Sequence, residues 1–193
     1  MVSSTRERIL HAARVLAEEN SSVQGVTISL ESVAQKAGLT KPGLIYHFPS
    51  KEALMIGLVE HAAKHWDEML RAHAGAAPES LSPFERHRAY VVVATTADVS
   101  RADYWIFSGA LYHRALTEPW HLHLGPWHDT TGLSGPERSL LTAARFCADG
   151  AWMSEATGVF AAESLDGVQR QALAIVDAAE RKAVTVRDEG GGT

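Results

Sequence analysis

Apolar residues recur along this chain at spacings of three and four, the repeat of helices with one buried face. In the stretch Thr5 to Glu19, Ile9, Ala12, Ala13, Leu16 and Ala17 form such a face. A polar loop, NSSVQGVT, follows. Ser29 then stands at an N-cap position ahead of Leu30, Val33, Ala34 and Ala37, and Gly38 stops the run. Thr40 caps a third, very short helix ending at His47, with Pro42 in its first turn, where a missing N–H costs little. Pro49-Ser50 ends that helix, and Ser50 caps a long fourth one from Lys51 to near Arg71. Farther on, Ser82-Pro83-Phe84-Glu85 and Ser134-Gly135-Pro136-Glu137 are capping boxes, predicting helices to near Asp98 and near Phe160. Asp166-Gly167-Val168-Gln169 is a looser box for a last helix to near Val186. Between them, RADYWIFSGALYHRAL predicts helix, and EPWHLHLGPWHDTTG a shorter helix disturbed by Gly125-Pro126. Strand alternation is nearly absent, so the pattern predicts an all-α protein.

Composition narrows the class. The length of 193 residues allows one or two domains, and 46% hydrophobic residues is ordinary for a globular protein. The opening twenty residues are charged and amphipathic, unlike a signal peptide, and runs such as YVVVA are too short to span a bilayer. A single Cys, Cys147, excludes an internal disulfide and fits a cytoplasmic protein. Its apolar neighbours predict a core position. The net charge of −5 argues against bulk coating of nucleic acid. The charge is uneven, however: residues 1–65 hold seven Lys/Arg and six Asp/Glu, so the acidity lies in the rear. DNA binding by the front would need individually placed cations.

The front supplies them in a suggestive frame. Helix Ser29–Ala37, turn Gly38-Leu39 and helix Thr40–His47 have the spacing of a helix-turn-helix, whose second helix enters the major groove. Thr40 and Lys41 can reach phosphates or bases, and Tyr46 and His47 can bond the DNA backbone. Gly43 costs roughly 1 kcal/mol of helix propensity against Ala, a cost that close backbone approach would justify. Lys51 opens a helix, where free N–H groups favour a phosphate. Spacing alone also permits a helical hairpin packed for stability.

Residues 5–62 resemble the amino-terminal domain of the TetR family of transcriptional regulators, through RILHAARVLAEE, VAQKAGLT, LIYHF and SKEAL. The resemblance implies an operator-binding homodimer whose second domain binds a small effector that releases the DNA. It implies that Ser29, Thr40, Lys41, Gly43, Tyr46, His47 and Lys51 face DNA, while Phe48 packs in the domain core. The chain departs from the family pattern at Ile45, where many members carry Tyr, and at Gly43. The implied organisation is a DNA-binding domain over 1–50, a connecting helix over 51–77 and an effector and dimerisation domain over 78–187. A tail over 188–193 is expected to be disordered.

The rear of the chain offers two kinds of surface. Leu140, Leu141, Ala144, Cys147, Ala148, Ala151 and Trp152, with Leu173, Ala174, Val176, Ala178 and Ala179, suit either a homodimer seam through the last two helices or an internal core. Aromatic and histidine residues crowd residues 104–128. Ligand pockets are mostly apolar with a few placed polar groups, so Tyr90, Trp105, Tyr112, His113, Trp120, His123, Trp127 and Trp152 are candidate effector contacts. Aromatic faces in an acidic domain suit an aromatic or lipophilic cationic effector. Filling a core is the competing role for each of these rings.

His121, His123, His128 and Asp129 invite a metal, but no His-x3-His pair or Cys partner supports one, and no metal or cofactor is expected. Phosphate loops, nucleophile elbows and framed carboxylate pairs are absent, so no enzyme is expected. The rival reading is a helical small-molecule binding protein or cryptic enzyme that keeps the helix-turn-helix only as scaffold.

Overall fold

The computed structural model describes residues 4–19, 28–96, 101–109 and 113–190, without the side chains of 101 and 185–190. The described residues form nine α-helices and no strand. They are α1 (Thr5–Glu19), α2 (Leu30–Lys36), α3 (Lys41–His47), α4 (Lys51–Ala74), α5 (Pro83–Ala94), α6 (Arg101–Ser108), α7 (Glu118–His128), α8 (Gly135–Thr157) and α9 (Leu165–Gly190). Single 3-10 turns lie at Pro78–Ser80 and Arg114–Leu116.

The caps follow the sequence pattern closely. Ser29 accepts from the Ser32 N–H at 3.0 Å, while the Ser29 N–H donates to Ser32 Oγ at 3.1 Å. Thr40 Oγ1 accepts from the Gly43 N–H at 3.2 Å, and Ser50 Oγ from the Ala53 N–H at 3.0 Å. The box Ser82/Glu85 is closed in both directions, and in Ser134/Glu137 the Ser134 N–H donates to Glu137 Oε2 at 2.6 Å. Each such cap contributes about 1 kcal/mol, which matters most for α2 and α3, at seven residues each too short to persist alone.

Other expectations require correction. The last helix begins at Leu165, and Ser164 rather than Asp166 acts at its start: Ser164 Oγ accepts from the Gly167 N–H at 3.2 Å. The same helix continues to Gly190, so residues 188–190 of the expected disordered tail are helical, with no breaker before the final glycines; 191–193 lie outside the described residues. Helix α4 extends to Ala74, and α5 stops at Ala94, four residues early. Helix α8 ends at Thr157 rather than Phe160, with left-handed Gly158 as its C-cap. The helix predicted over RADYWIFSGALYHRAL ends at Ser108, and α7 runs through Gly125-Pro126 without ending there. Cys147 is exposed, not buried. The buried positions of α8 include Leu141, Ala144, Ala148, Ala151 and Trp152, and Cys147 is turned about 100° from Ala148.

The chain divides into two compact units, and the division differs from the expected linear one. The first comprises residues 1–65 with 100–123, the second 66–99 with 124–193. Helix α6 belongs with the front of the chain because α1 holds it. Arg14 Nη2 meets Asp103 Oδ2 at 3.0 Å, and Glu18 Oε2 accepts from the Ala102 N–H at 2.9 Å. The core of the first unit gathers Ile9, Ala13, Ile28, Val33, Leu44, Phe48, Leu54 and Leu58. Phe48 is therefore a core residue, as expected. A Cβ on Gly57 would lie 2.6 Å from Phe48 Cε1, so α4 can approach this ring only as glycine. The second unit packs α5, α8 and α9 together around Val91, Leu141, Ala144, Ala148, Val176 and Ala179. Among the described residues no helix is long and apolar enough to cross a membrane.

Candidate nucleic-acid interface and effector sites

The helix-turn-helix is built from α2 and α3. Gly38 takes the left-handed conformation between them, and the Leu39 N–H donates to Ala34 O at 2.9 Å. Leu44 is fully buried and fixes α3 against the core, which leaves the rest of this short helix outside. Two arginines of α1 brace the pair: Arg8 donates to Ala37 O at 2.9 Å and Arg6 to His47 O at 3.4 Å. Arg6 also lies over the Phe48 ring, 4.3 Å from its centroid.

Tyr46 is 85% exposed, a high value for an aromatic residue with no stated role in the core. His47 lies against it edge to face, with ring centroids 5.2 Å apart. Lys41 is exposed at the start of α3, and its ammonium lies 3.7 Å from the Glu31 carboxylate. Thr40 and Ser29 are both committed to capping, so their hydroxyls hold the two helices in place. A Cβ on Gly43 would sit 3.3 Å from Thr40 Oγ1, so the missing side chain also protects that cap. Lys51 is exposed in the first turn of α4. Ile45, 38% exposed, lies between buried Leu44 and exposed Tyr46 and adds an apolar contact surface beside the latter. Glu31 was not foreseen; its spacing from Lys41 crosses the turn, so no helical period reveals the pair.

The candidate effector residues do not form one site. Trp105 and His113 line a cavity of about 530 Å³ in the first unit, together with Lys51, Glu52, Met55 and Ile56. Trp120 is buried in the same unit, edge to face with Phe107 at 5.4 Å. His123 is half-buried, and Tyr112 lies outside the described residues. Trp127 is fully buried in the second unit, and its Nε1–H donates to Asp67 Oδ1 at 2.8 Å, a structural bond.

Tyr90 and Trp152 belong to an aromatic cluster inside the second unit. The Trp66 ring lies 5.1 Å from Trp152 and 6.0 Å from Tyr90, and Tyr90 lies 4.5 Å from His128. The Tyr90 hydroxyl donates to Asp149 Oδ1 at 2.6 Å. Burial, then the nearby Asp149 charge, raises the Tyr90 pKa well above its usual value, so the phenol stays protonated. Burial also raises Asp149, against the opposing pull of Tyr90 and Arg145. It lowers His87 and pushes His128 down to about 3. Trp66 Nε1 and His128 Nδ1 are buried without a hydrogen-bond partner among the described residues. Unsatisfied buried donors and acceptors are costly in native proteins and mark places where a further polar group can bind. Trp66 and Asp149 were missed as site residues in the sequence, whereas His128 was noted there only within the crowd over 104–128 and as a possible metal ligand. Trp66 could have been found: Val59, Ala62, Ala63, Trp66 and Leu70 form one buried stripe along α4.

Among the described residues no three His, Cys, Asp or Glu side chains gather as a metal site.

Comparison with known proteins agrees with this architecture. Residues 9–58 match the model of bacterial regulatory proteins of the tetR family, and residues 84–177 match the tetracyclin repressor-like C-terminal domain. The HTH-type transcriptional regulator RutR of Escherichia coli K12 is 36% identical over 62 residues, which are 32% of this chain and 27% of RutR. Similarity to that regulator thus spans about a quarter of its length. A TetR family member from Streptomyces coelicolor A3, SCO1917, superposes with a TM-score of 0.64 at 17% identity, covering 90% of this chain and 98% of its own. The multidrug binding protein EbrR complexed with malachite green gives 0.62 at 18% identity, with the same coverages of 90% and 98%. With a helix-turn-helix model and a C-terminal domain model matched in order along one all-α chain, the protein belongs to the TetR family of transcriptional regulators, which are not enzymes.

Proposed function

We propose that the protein is a ligand-responsive repressor that binds a palindromic operator as a homodimer, in the cytoplasm where its DNA lies. The observation that carries this reading is the outer face of α3. Lys41, Ile45 and Tyr46 stand exposed on a helix whose position is fixed by the Thr40 cap, buried Leu44 and the two arginines of α1. Side chains so presented can meet base edges and phosphates in a major groove. Lys51 adds a phosphate contact, and His47 reaches the DNA backbone beside Tyr46. The test is operator binding by Lys41→Ala and Tyr46→Ala. Each should lose affinity about tenfold with melting unchanged, since one base or phosphate contact is worth about 1–3 kcal/mol. Unchanged affinity in both variants would remove α3 from the interface.

The second unit supports an aromatic or lipophilic cationic effector. Trp66, Tyr90 and Trp152 offer ring faces, and the Asp149 carboxylate, raised by burial, gains from a cation beside it. Structures of EbrR with ethidium and proflavin show such cations bound to a protein of this fold. Helix α4 carries both Lys51 and Trp66, so a ligand beside Trp66 contacts the helix that opens with the proposed phosphate-contacting lysine. By linkage, DNA weakens effector binding by the factor by which effector weakens DNA binding. Dimer formation is assigned to the outer face of α8, where Thr142, Ala143, Phe146 and Met153 lie exposed at helical spacing. The apolar residues expected at that seam, among them Leu141, Ala144, Ala148, Val176 and Ala179, are buried within the chain. Activation in place of repression would need the same interface and differs only in where the operator lies.

A further inference from the structure

The cavity in the first unit lies beside the elements proposed to read DNA, at the start of α4. Its volume of about 530 Å³ is within the range of small-molecule sites, about 300–1,000 Å³. The walls are largely apolar: Met55 and Ile56 from α4, Trp105 from α6, Leu116 from the 3-10 turn, and Ile28. Ile28 immediately precedes Ser29, the N-cap of α2. The polar lining consists of the Lys51 ammonium, the His113 imidazole, the Ser108 hydroxyl and one carboxylate, Glu52. Ser108 is engaged, its hydroxyl donating to Trp105 O at 2.8 Å. Lys51 and His113 remain as donors on an apolar site, and an ammonium is satisfied there by a carboxylate.

We propose that this cavity is a second small-molecule site, distinct from the aromatic cluster of the second unit, and that it takes a small aromatic carboxylate. The ring lies among Met55, Ile56 and Trp105, and the carboxylate meets Lys51 and His113. A ligand so held removes Lys51 from DNA, so operator and carboxylate exclude each other. That consequence rests on the regulator reading above; the site itself does not.

The experiment compares three probes with one ring system: naphthalene-2-carboxylate, its neutral amide and 2-naphthylmethylammonium. Binding to the full chain is measured by calorimetry without DNA. The carboxylate should bind about tenfold more tightly than the amide, the scale of one charge-assisted hydrogen bond, and the ammonium most weakly. Met55→Trp and Ser108→Phe fill the cavity and should each abolish carboxylate binding with the melting temperature kept. Lys51→Met, which alters no buried atom, should erase the preference over the amide. Equal binding of the three probes, or a carboxylate preference that survives Lys51→Met, would overturn the assignment, as would binding that persists in a folded, filled variant. Operator binding is measured in parallel. Carboxylate binding by a protein that selects no DNA would leave the site standing and the regulator reading lost. Operator binding that the carboxylate does not weaken would overturn the proposed exclusion.

Discussion

Single side chains on α3 divide between holding the helix and facing outward, where the proposed operator would lie. Thr40 and Leu44 hold it; Lys41 and Tyr46 face outward. Lys41 shares its charge with Glu31 at 3.7 Å across two exposed side chains, a pair worth at most about 1 kcal/mol. In the proposed complex Glu31 would face the phosphates that Lys41 meets. Replacing Glu31 with Gln should therefore tighten operator binding about two- to threefold, the scale of a weak surface charge, read in a titration at fixed salt. Lys41→Ala should weaken binding and reduce the slope of log affinity against log salt by about one. In the second unit, His128 is held near 3, below its usual 6.5, so between those values the unfolded chain binds a proton that the folded chain refuses. Stability contributed by neutral His128 is thus present above about 6.5 and declines as pH falls toward 3. His87, also lowered, acts with it; Asp149, raised above 3.8, acts against it at the acid end. The loss approaches about 1.4 kcal/mol per pH unit and histidine, and His128→Gln should flatten the fall in melting temperature between pH 7 and 5.

At the scale of elements, the Arg14–Asp103 tie between α1 and α6 is the most buried of the ion pairs described. Asp103 is 2% exposed at its side chain and meets Arg14 directly. Asp103→Ala leaves a half-buried guanidinium without this partner and should cost about 3 kcal/mol, measured by denaturant unfolding. Arg14→Met with Asp103→Leu should cost less than Asp103→Ala alone. This tie also explains what the chain did not disclose in advance. Capping boxes are local, four residues each, so Ser29, Thr40, Ser82 and Ser134 were legible as helix starts. Arg14 and Asp103 are 89 residues apart, so no periodicity announced that α6 groups with the front of the chain. Buried faces were legible by period, as in Ile9 and Ala13 of α1 and Val33 and Ala34 of α2, but their partners were not. The small residues of α8 had two possible partners, and the internal core took them, leaving Phe146 and Cys147 outside. Of the aromatic crowd in 104–128, the number of rings was legible. Their separate fates were not, because Trp127 finds Asp67 and Trp105 lines a cavity through three-dimensional neighbours.

For the whole molecule, the proposed operator binding follows from a two-fold assembly. A dimer presents two α3 helices to half-sites one helical turn, or multiples of it, apart. Phe146→Arg on the exposed face of α8 should shift sedimentation toward monomer and reduce operator binding, while leaving the buried α8 residues untouched. The central claim is that the outer face of α3 reads a specific DNA sequence. The most direct test is selection of bound duplexes from a random pool, followed by titration of the enriched duplex with the native chain and with Tyr46→Ala at two salt concentrations. The account predicts a palindromic sequence, affinity falling steeply with salt, and loss of that binding in the folded Tyr46→Ala protein. No enriched sequence from folded dimer, or an enriched one bound equally well by Tyr46→Ala, would contradict it.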